Sequence, residues 1–372
     1  MEYRKLRVII SGGGTGGHIF PALSIANKLK EVNPETEILF VGAEGRMEME
    51  KVPAAGYTIK GLPVSGLRRS LSLSNLALPF KLMKSIRMAK NIIREFRPDI
   101  AIGVGGYASA PLLRAAGKLG VPTLIQEQNG FAGLTNKIVG KKAKRICVAY
   151  ENMERFFPAD RIVLTGNPIR KEIVPCTEQM REEAFKFYGL TPGKKHIFIV
   201  GGSLGSGTLN NAMKKWINDG CPSGEDVEVL WQCGKFYKSD IDSFVFLSGV
   251  SAPKIQHTDF IQRMDLAYAA ADVVISRSGA SSVSELCAAH KAVIFVPSPN
   301  VTEDHQTHNA MALVNKNAAM IVKDSQACED LMKTACELLG QPEKIAELEK
   351  NIAALAKTDA AMDIVKEVYS II

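Results

Sequence analysis

Three clusters of glycine, each directly after a short apolar run, are the residues of this sequence best suited to bind phosphate. They occupy residues 12–17, 103–107 and 201–205. Glycine has no Cβ, so the backbone N–H groups of such a loop can approach a diphosphate, and the following helix adds the positive end of its dipole. A single cluster is also consistent with a tight turn. Three in one chain favour a phosphate-bearing ligand.

The first cluster also satisfies the pattern G-x-G-x-x-G, which is typical of nicotinamide and flavin sites. In such sites an acidic residue near the end of the second strand binds the ribose. Here Gly42 stands at that place, and Glu44 comes only later. Residues 18–21, which follow the glycines, are not required by the dinucleotide pattern. A nicotinamide-dependent oxidoreductase therefore remains a second hypothesis, from a different class of enzyme.

The elements that must position these loops follow from the apolar pattern of the first half. Amphipathic segments, such as residues 18–32, alternate with short apolar runs at residues 6–11, 37–42, 100–104, 123–125 and 145–148. Buried strands with intervening helices imply parallel pairing and right-handed crossovers. The first half is therefore predicted to form an α/β sheet covered on both faces.

The same order of strand, glycine loop and helix restarts at residue 194. A strand is predicted at residues 194–200 and a helix from about Thr208. Further strands are predicted at residues 228–232, 273–276 and 292–296. The proline-containing segment 166–193 is typical of a linker with a short helix. Two similar α/β domains with a cleft between them are the simplest architecture.

Seven motifs follow one another along the chain, at residues 13–21, 103–109, 127–133, 166–170, 201–203, 277–285 and 304–309. In this order they resemble the MurG family of peptidoglycan N-acetylglucosaminyltransferases, over roughly residues 5–370. The resemblance implies two Rossmann-like domains facing across a cleft, which is the GT-B fold. It also implies an inverting, metal-independent transfer of GlcNAc from UDP-GlcNAc to the muramyl 4-hydroxyl of lipid I, giving lipid II and UDP. No cofactor is implied.

The resemblance also assigns a role to each part of the chain. Residues 1–165 would bind the acceptor and face the membrane, and residues 166–345 would bind UDP-GlcNAc. Residues 346–372 would form a helix that packs back on the N-terminal domain. The implied location is the cytoplasmic face of the inner membrane, as a peripheral protein. Other proteins of cell-wall synthesis are implied as partners.

For the donor, the resemblance assigns the second domain. The third glycine loop and its helix would hold the UDP phosphates, and Ile261 would meet uracil through its backbone. Glu285 would accept hydrogen bonds from the ribose, and Gln306 would contact the GlcNAc hydroxyls. The implied donor-binding residues are Thr15, Gly16, Gly17, Asn129, Arg170, Ser203, Ile261, Ser281, Ser282, Glu285 and Gln306.

For the acceptor, the chemistry requires a base that removes the proton from the attacking hydroxyl. His18, beside the first glycine loop, is the natural candidate because imidazole titrates near neutral pH. The alternative is that His18 only orients the loop. The residues that the resemblance assigns to the acceptor are Gly14, His18, Gly105, Tyr107, Asn129 and Asn210.

Two departures from the family pattern concern the donor site. Residues 203–207 lack the basic residue found in many relatives, which leaves more of the phosphate stabilisation to backbone groups. Ser281 and Ser282 stand where a larger residue and Thr are common.

Basic residues are concentrated in the first half of the chain, although the whole chain carries only +7. Residues 1–160 contain 24 Lys and Arg against 13 Asp and Glu. A helical run carries some of them at helical spacing: Lys81, Lys84, Arg87, Lys90 and Arg94. The run predicts either docking on an anionic membrane surface or an ordinary solvated basic face. A nucleic-acid partner is not predicted, because no recognition-helix motif occurs.

Several other classes are not favoured by the sequence. No stretch approaches 18 apolar residues, so no spanning helix is predicted, and the short N-terminal apolar run predicts a cytoplasmic chain. The seven cysteines never form C-x-x-C, and residues 240–242 match D-x-D away from any glycine loop, so no metal site is predicted. Transfer to another lipid, such as a diacylglycerol, and a sugar-nucleotide sensor without activity remain alternatives.

Overall fold

The computed structural model describes residues 3–64, 78–202, 204–250 and 253–372. The chain divides into two compact units. Unit 1 comprises Met1–Ile169 and Thr358–Ile372, and unit 2 comprises Arg170–Lys357. Unit 2 is thus one continuous segment, whereas unit 1 is made from both ends of the chain.

Unit 1 contains a parallel sheet in which strand order follows the doubly wound pattern. Its strands are β1 (Arg7–Gly12), β2 (Glu37–Ala43), β3 (Thr58–Leu62), β4 (Ile100–Gly105), β5 (Thr123–Glu127), β6 (Arg145–Val148) and β7 (Ile162–Leu164). Its helices are α1 (Gly16–Val32), α2 (Glu48–Ala54), α3 (Leu78–Phe96), α4 (Ser109–Lys118), α5 (Leu134–Gly140) and, from the C-terminal segment, α14 (Ala360–Ser370). The strand order is β3-β2-β1-β4-β5-β6-β7.

Helices cover both faces of this sheet, as the alternation of side chains along β1 requires. Ile9 packs in one apolar cluster with α3, α4 and α5. Its neighbour Ile10 packs in a second cluster, with α1 and α14. Strands buried on both faces read as continuous apolar runs. The unit therefore has two cores separated by the sheet.

Unit 2 repeats the arrangement with its own set of elements. Its strands are β8 (Lys195–Val200), β9 (Val227–Gln232), β10 (Lys254–Thr258), β11 (Val273–Ser276), β12 (Val293–Phe295) and β13 (Met320–Ile321). Its helices are α6 (Glu178–Tyr188), α7 (Gly207–Asn218), α8 (Lys238–Ser248), α9 (Met264–Ala270), α10 (Ala280–Ala289), α11 (His305–Val314), α12 (Ala327–Leu339) and α13 (Pro342–Ala353). The order β10-β9-β8-β11-β12-β13 repeats, position for position, that of the first six strands of unit 1.

Each sheet has a point where the direction of winding reverses. It lies between β1 and β4 in unit 1 and between β8 and β11 in unit 2. Ligands of doubly wound sheets bind outside the carboxyl ends of the strands at this point. All three glycine clusters follow strands that border these two points. The prediction of two Rossmann-like α/β domains is confirmed.

Candidate active site

The first two glycine loops touch each other through their backbones at the carboxyl edge of unit 1. Gly106 has a φ of +91°, and a Cβ there would lie 2.4 Å from the carbonyl oxygen of Gly13. Gly105 has a φ of +101°, and its Cβ would lie 2.8 Å from Cε1 of His18. Glycine is therefore required at both positions, by conformation and by space. Gly105 in particular allows the His18 ring to lie against the second loop.

His18 lies in the first turn of α1, half-buried, with its ring directed toward the residue that follows β5. Its Nδ1 is 3.0 Å from Oε1 of Gln128. Gln128 is buried and was not assigned a role from the sequence. The two residues come from separate strand ends, which parallel strands bring to one edge of the sheet.

Glu127 shapes the loop that carries Asn129, a residue predicted to contact both substrates. One carboxylate oxygen of Glu127 accepts hydrogen bonds from the Asn129 backbone N–H at 3.1 Å and from its side-chain amide at 3.3 Å. The other oxygen accepts from the Gly133 N–H and from Nδ2 of Asn136, both at 3.0 Å. Asn129 is therefore held in one orientation by a buried carboxylate that the sequence did not single out as functional.

A second buried carboxylate, Glu48, supports the first glycine loop. One of its oxygens accepts the Gly14 N–H at 2.8 Å, and the other accepts the Ala43 N–H at 3.0 Å. A Cβ on Gly13 would lie 2.2 Å from the same side chain. In the sequence, Glu44 is the first acidic residue after β2. In the structure, however, Glu48 on α2 is the residue that contacts the glycine loop. The Gly14 N–H is thus engaged by the protein itself.

The remaining residues predicted in the first two loops lie at or near the surface. Thr15 and Gly17 are exposed, and Gly16 is half-buried at the start of α1. The Thr15 side chain makes no capping hydrogen bond to this helix. The helix N-terminus can therefore offer backbone N–H groups to an anion. Tyr107 is 47% exposed after β4, with the Arg46 guanidinium 5.9 Å from its ring centroid.

In unit 2, the third glycine loop packs tightly against the residues that follow β9. Gly205 has a φ of +79°, and a Cβ there would lie 2.2 Å from the carbonyl oxygen of Cys233. Ser206 ends the loop and caps α7, its hydroxyl accepting the Leu209 N–H at 3.4 Å. Ser203, which was predicted to bind the donor, lies outside the described residues.

Arg277 brings a cation to this loop from another strand. It follows β11, and its Nη2 donates to the Ser206 hydroxyl at 2.7 Å. Its Nη1 donates to the carbonyl oxygen of Val296 at 2.9 Å and to Asp324. The expectation that backbone groups carry more of the phosphate stabilisation stays a prediction, since the Arg277 charge is already paired with Asp324. The loop lacks a cation of its own, but a guanidinium lies beside the N-terminus of α7.

Two predicted donor-binding residues, Arg170 and Glu285, form a bidentate ion pair. The Arg170 Nε and Nη2 donate to the two carboxylate oxygens of Glu285, at 2.8 and 2.6 Å. The Tyr268 hydroxyl donates to the same carboxylate at 3.3 Å. Burial raises the pKa of Tyr268 well above its ordinary value, so the phenol keeps its proton. Three of the four lone-pair sites of Glu285 are used, which leaves room for one further donor.

The other predicted donor residues follow neighbouring strands of unit 2. Ser281 and Ser282 are half-buried in the first turn of α10, and the Gly279 that precedes this helix provides no side-chain cap. Ile261 is buried in the loop after β10. Gln306 is the second residue of α11, and its side-chain oxygen accepts the Ser298 N–H at 2.9 Å. The sheet therefore brings these residues to its carboxyl edge.

Asn210 differs from its predicted role in acceptor binding. It is buried on α7, where its side-chain NH2 donates to the carbonyl oxygen of Cys233 at 2.9 Å. Its side-chain oxygen accepts the Trp231 indole N–H at 3.0 Å. Both ends of the amide are thus occupied inside unit 2. The residue ties α7 to β9 and supports the third glycine loop rather than presenting its side chain to a ligand.

The basic run predicted from the sequence forms α3, which also exposes apolar side chains. Phe80 is 75% exposed and Met83 is 69% exposed. Lys81, Lys84 and Arg87, which are close to these two residues in the helix, are also exposed. Arg68 and Arg69, which precede this run, lie outside the described residues. Within the described part of the chain, no helix is long and apolar enough to cross a membrane.

Comparisons with known proteins cover almost the whole chain. The model of the glycosyltransferase family 28 N-terminal domain matches residues 8–148, and that of the C-terminal domain matches residues 196–367. A protein of Phocaeicola vulgatus is 56% identical over 367 residues, which cover 99% of this chain and 96% of the relative. A protein of Parabacteroides distasonis is 55% identical over 369 residues, which cover 99% of this chain and 99% of the relative.

Both relatives bear the name UDP-N-acetylglucosamine–N-acetylmuramyl-(pentapeptide) pyrophosphoryl-undecaprenol N-acetylglucosamine transferase. Among solved structures, the crystal structure of Acinetobacter baumannii MurG matches with a TM-score of 0.80 at 29% sequence identity. That match covers 99% of this chain and 100% of the other. The sequence relatives and the solved structure therefore indicate the same family over both units.

Proposed function

This chain belongs to the MurG family of glycosyltransferase family 28, and we propose from its own residues how it carries out that family's reaction. It transfers GlcNAc from UDP-GlcNAc to lipid I, the undecaprenyl-diphosphate-linked muramyl pentapeptide, and so forms lipid II and UDP. The observation that carries this conclusion is the 56% identity to a transferase of that name over 99% of the chain.

For the donor, we propose that UDP-GlcNAc binds at the carboxyl edge of the sheet in unit 2. The N-termini of α7 and α10 border the point where this sheet reverses its winding. Together with the Arg277 guanidinium they would attract the diphosphate. Glu285 would accept a ribose hydroxyl, Ile261 would meet uracil through its backbone, and Gln306 would contact the GlcNAc hydroxyls.

Other assignments taken from the family are proposed as well. In unit 1, Thr15, Gly16, Gly17 and Asn129 would contact the donor. The acceptor would meet Gly14, Gly105, Tyr107 and Asn129 near the reversal point of the first sheet. In unit 2, Arg170, Ser203, Ser281 and Ser282 would contribute to the donor site.

The chemical step follows from the charges that develop during transfer. The muramyl 4-hydroxyl attacks the anomeric carbon of GlcNAc as the bond from that carbon to the UDP oxygen breaks. Negative charge grows on the leaving diphosphate, where helix N-termini and a guanidinium can stabilise it without reorganisation. The hydroxyl proton passes to His18, whose imidazole acts as the general base. Attack from the face opposite UDP inverts the anomeric configuration.

Turnover with purified substrates tests this function directly. With UDP-GlcNAc labelled in the sugar and a short-chain analogue of lipid I, we expect the label to enter an extractable lipid. EDTA is expected to leave the rate intact, because residues of the protein meet the charge on the diphosphate. Label in diacylglycerol and none in the lipid I analogue would contradict the acceptor. Binding of UDP-GlcNAc without consumption would contradict the activity. Stabilisation by nicotinamide nucleotides with no effect of UDP would favour the oxidoreductase hypothesis.

For location, we propose that α3 docks unit 1 on an anionic membrane surface, where a lipid-linked acceptor resides. Phe80 and Met83 lie about one turn apart, so both can enter the interface, while Lys81 and Lys84 meet anionic headgroups. Each basic residue near such a surface contributes about 1 kcal/mol. This placement supports a peripheral protein on the cytoplasmic face of the inner membrane, where other proteins of cell-wall synthesis could contact it.

Removal of both lysines should therefore weaken membrane binding. For Lys81→Gln with Lys84→Gln, we expect co-sedimentation with phosphatidylglycerol vesicles to fall about 30-fold at low salt, since about 2 kcal/mol is lost. The matched control, Lys333→Gln with Lys350→Gln, removes the same charge from exposed positions in unit 2. Equal weakening by both pairs, or no weakening by the first, would contradict docking through α3.

A further inference from the structure

We propose that Gln128 is a positioning residue that fixes which nitrogen of His18 carries the proton. The proposal rests on the role of His18 as the general base, stated above. A base at Nε2 requires the neutral imidazole to hold its proton on Nδ1. The structure assigns that tautomer through a series of buried amides in unit 1.

The orientation of the Gln128 amide is set by the groups around it. Its Nε2 lies 2.8 Å from the carbonyl oxygen of Val104 and 3.0 Å from that of Gln126. Backbone carbonyls only accept hydrogen bonds, so the NH2 group must face them. The opposite atom, Oε1, then faces His18 Nδ1 at 3.0 Å.

Two further amides enforce the same orientation. Asn167 Nδ2 donates to the backbone carbonyl of Gln128 at 3.0 Å, which places Asn167 Oδ1 toward Gln126. Gln126 Nε2 donates to that oxygen at 2.9 Å, which turns Gln126 Oε1 toward Gln128 Nε2. The two hydrogens of the Gln128 NH2 are thus shared among this oxygen and the two backbone carbonyls. Asn167, Gln126 and Gln128 are 2%, 0% and 1% exposed. Reversing one amide in this buried series would place two acceptors or two donors against each other.

The consequence for His18 is a defined proton position. Because Gln128 presents an oxygen, Nδ1 must be the donor in this contact, and the lone pair of the neutral ring lies on Nε2. With the amide reversed, its NH2 would donate to Nδ1 and the proton would move to Nε2. An imidazole in that form cannot accept the hydroxyl proton at Nε2. The amide series thus keeps the ring in the form that the reaction requires.

The first experiment measures the tautomer without turnover. In protein labelled with ¹⁵N-histidine, with His18→Gln to assign the signals, we expect His18 to show a protonated Nδ1 and an unprotonated Nε2 above its titration range. In Gln128→Met, which has a similar length but no acceptor, we expect a mixture of both forms. Wild-type protein with the proton on Nε2 would overturn the proposal, whatever the protein catalyses.

The second experiment measures the catalytic effect. For Gln128→Met we expect kcat to fall about 10- to 100-fold, which is less than the loss of the base because the correct tautomer stays partly populated. The KM for UDP-GlcNAc should stay within about twofold, since Gln128 lies on unit 1 and makes no proposed donor contact. An unchanged kcat with a mixed tautomer would overturn the proposal.

Gln128→Glu separates positioning from a general effect on the fold. A protonated glutamate at this position keeps an oxygen toward Nδ1 and can donate its O–H toward the carbonyl oxygens that face the Gln128 NH2, so we expect the wild-type tautomer and a kcat above that of Gln128→Met. In its ionised form the same side chain would favour the imidazolium, so the acidic limb of the kcat profile should move to higher pH. Gln341→Met, at an exposed helix start in unit 2, is the control for the substitution itself. A kcat in Gln128→Glu no higher than in Gln128→Met, with the tautomer retained, would overturn the proposal. If no variant or wild-type protein transfers GlcNAc, the proposed function fails while the tautomer result stands.

Discussion

His18→Gln is expected to lower kcat for transfer to a lipid I analogue by about 10²- to 10⁴-fold, the usual contribution of a general base. Glutamine has a similar reach and keeps a polar group toward Gln128, so the packing against Gly105 should change little. It cannot accept a proton near neutral pH. The KM for UDP-GlcNAc should therefore change by no more than about twofold. Steady-state kinetics from pH 5 to 9 provide the measurement.

A second histidine variant is the control for a general effect of the substitution on the protein. His290 follows the last residue of α10 and caps the helix with a φ of +56°, a conformation that asparagine tolerates well. His290→Asn is expected to keep kcat, because it preserves this helix end. The assignment of the base would fail if His18→Gln retained full activity and the wild-type dependence on pH. In that case the histidine would only orient the loop.

Glu285→Gln is expected to lower kcat/KM for UDP-GlcNAc by about 100-fold, mainly through KM. The substitution removes the carboxylate that pairs with Arg170 and accepts a hydrogen bond from the Tyr268 hydroxyl. Hydrogen bonds to charged groups contribute about 1.5–3 kcal/mol each. An amide can accept at only one of its two ends. The proposed ribose contact and the ion pair therefore compete for that single oxygen. Calorimetry with UDP should show the same loss of affinity.

Two observations would separate this effect from loss of folding. The thermal unfolding of Glu285→Gln without ligand should remain cooperative, although its midpoint is expected to fall because a buried acceptor is lost. Glu329→Gln, on the exposed side of α12, removes a carboxylate that makes only a 3.5 Å contact to Lys215 and should leave UDP binding unchanged. Unaltered UDP affinity in Glu285→Gln would refute the donor assignment.

The architecture could be predicted from the sequence because its signals are local. Each glycine cluster follows its strand directly, and apolar runs of strand length recur between amphipathic segments. These features fix parallel sheets and place the loops at one edge. The repeat of the pattern after residue 194 likewise predicts the second sheet.

The side chains that support the site could not be found in this way. Gln128 contacts His18 from 110 residues away, and Arg277 reaches Ser206 across 71 residues. Such pairs form only when the sheet brings separate strand ends together. They therefore cannot be predicted from the spacing of residues in the sequence. Asn210 shows the opposite error. It lies next to a predicted phosphate loop in sequence, but the turn of α7 directs its amide into the core.

The way in which the chain closes unit 1 constrains how the protein is made. The first strand, β1, leaves the ribosome early, but α14 completes the apolar cluster around Ile25 and Leu29 of α1. That helix is translated after all of unit 2, since Arg170–Lys357 intervenes. During synthesis the apolar face of α1 therefore stays partly exposed to solvent until α14 has been translated. Unit 2 is contiguous in sequence and can fold before then. Residues translated after unit 2 thus complete the unit that was begun before it.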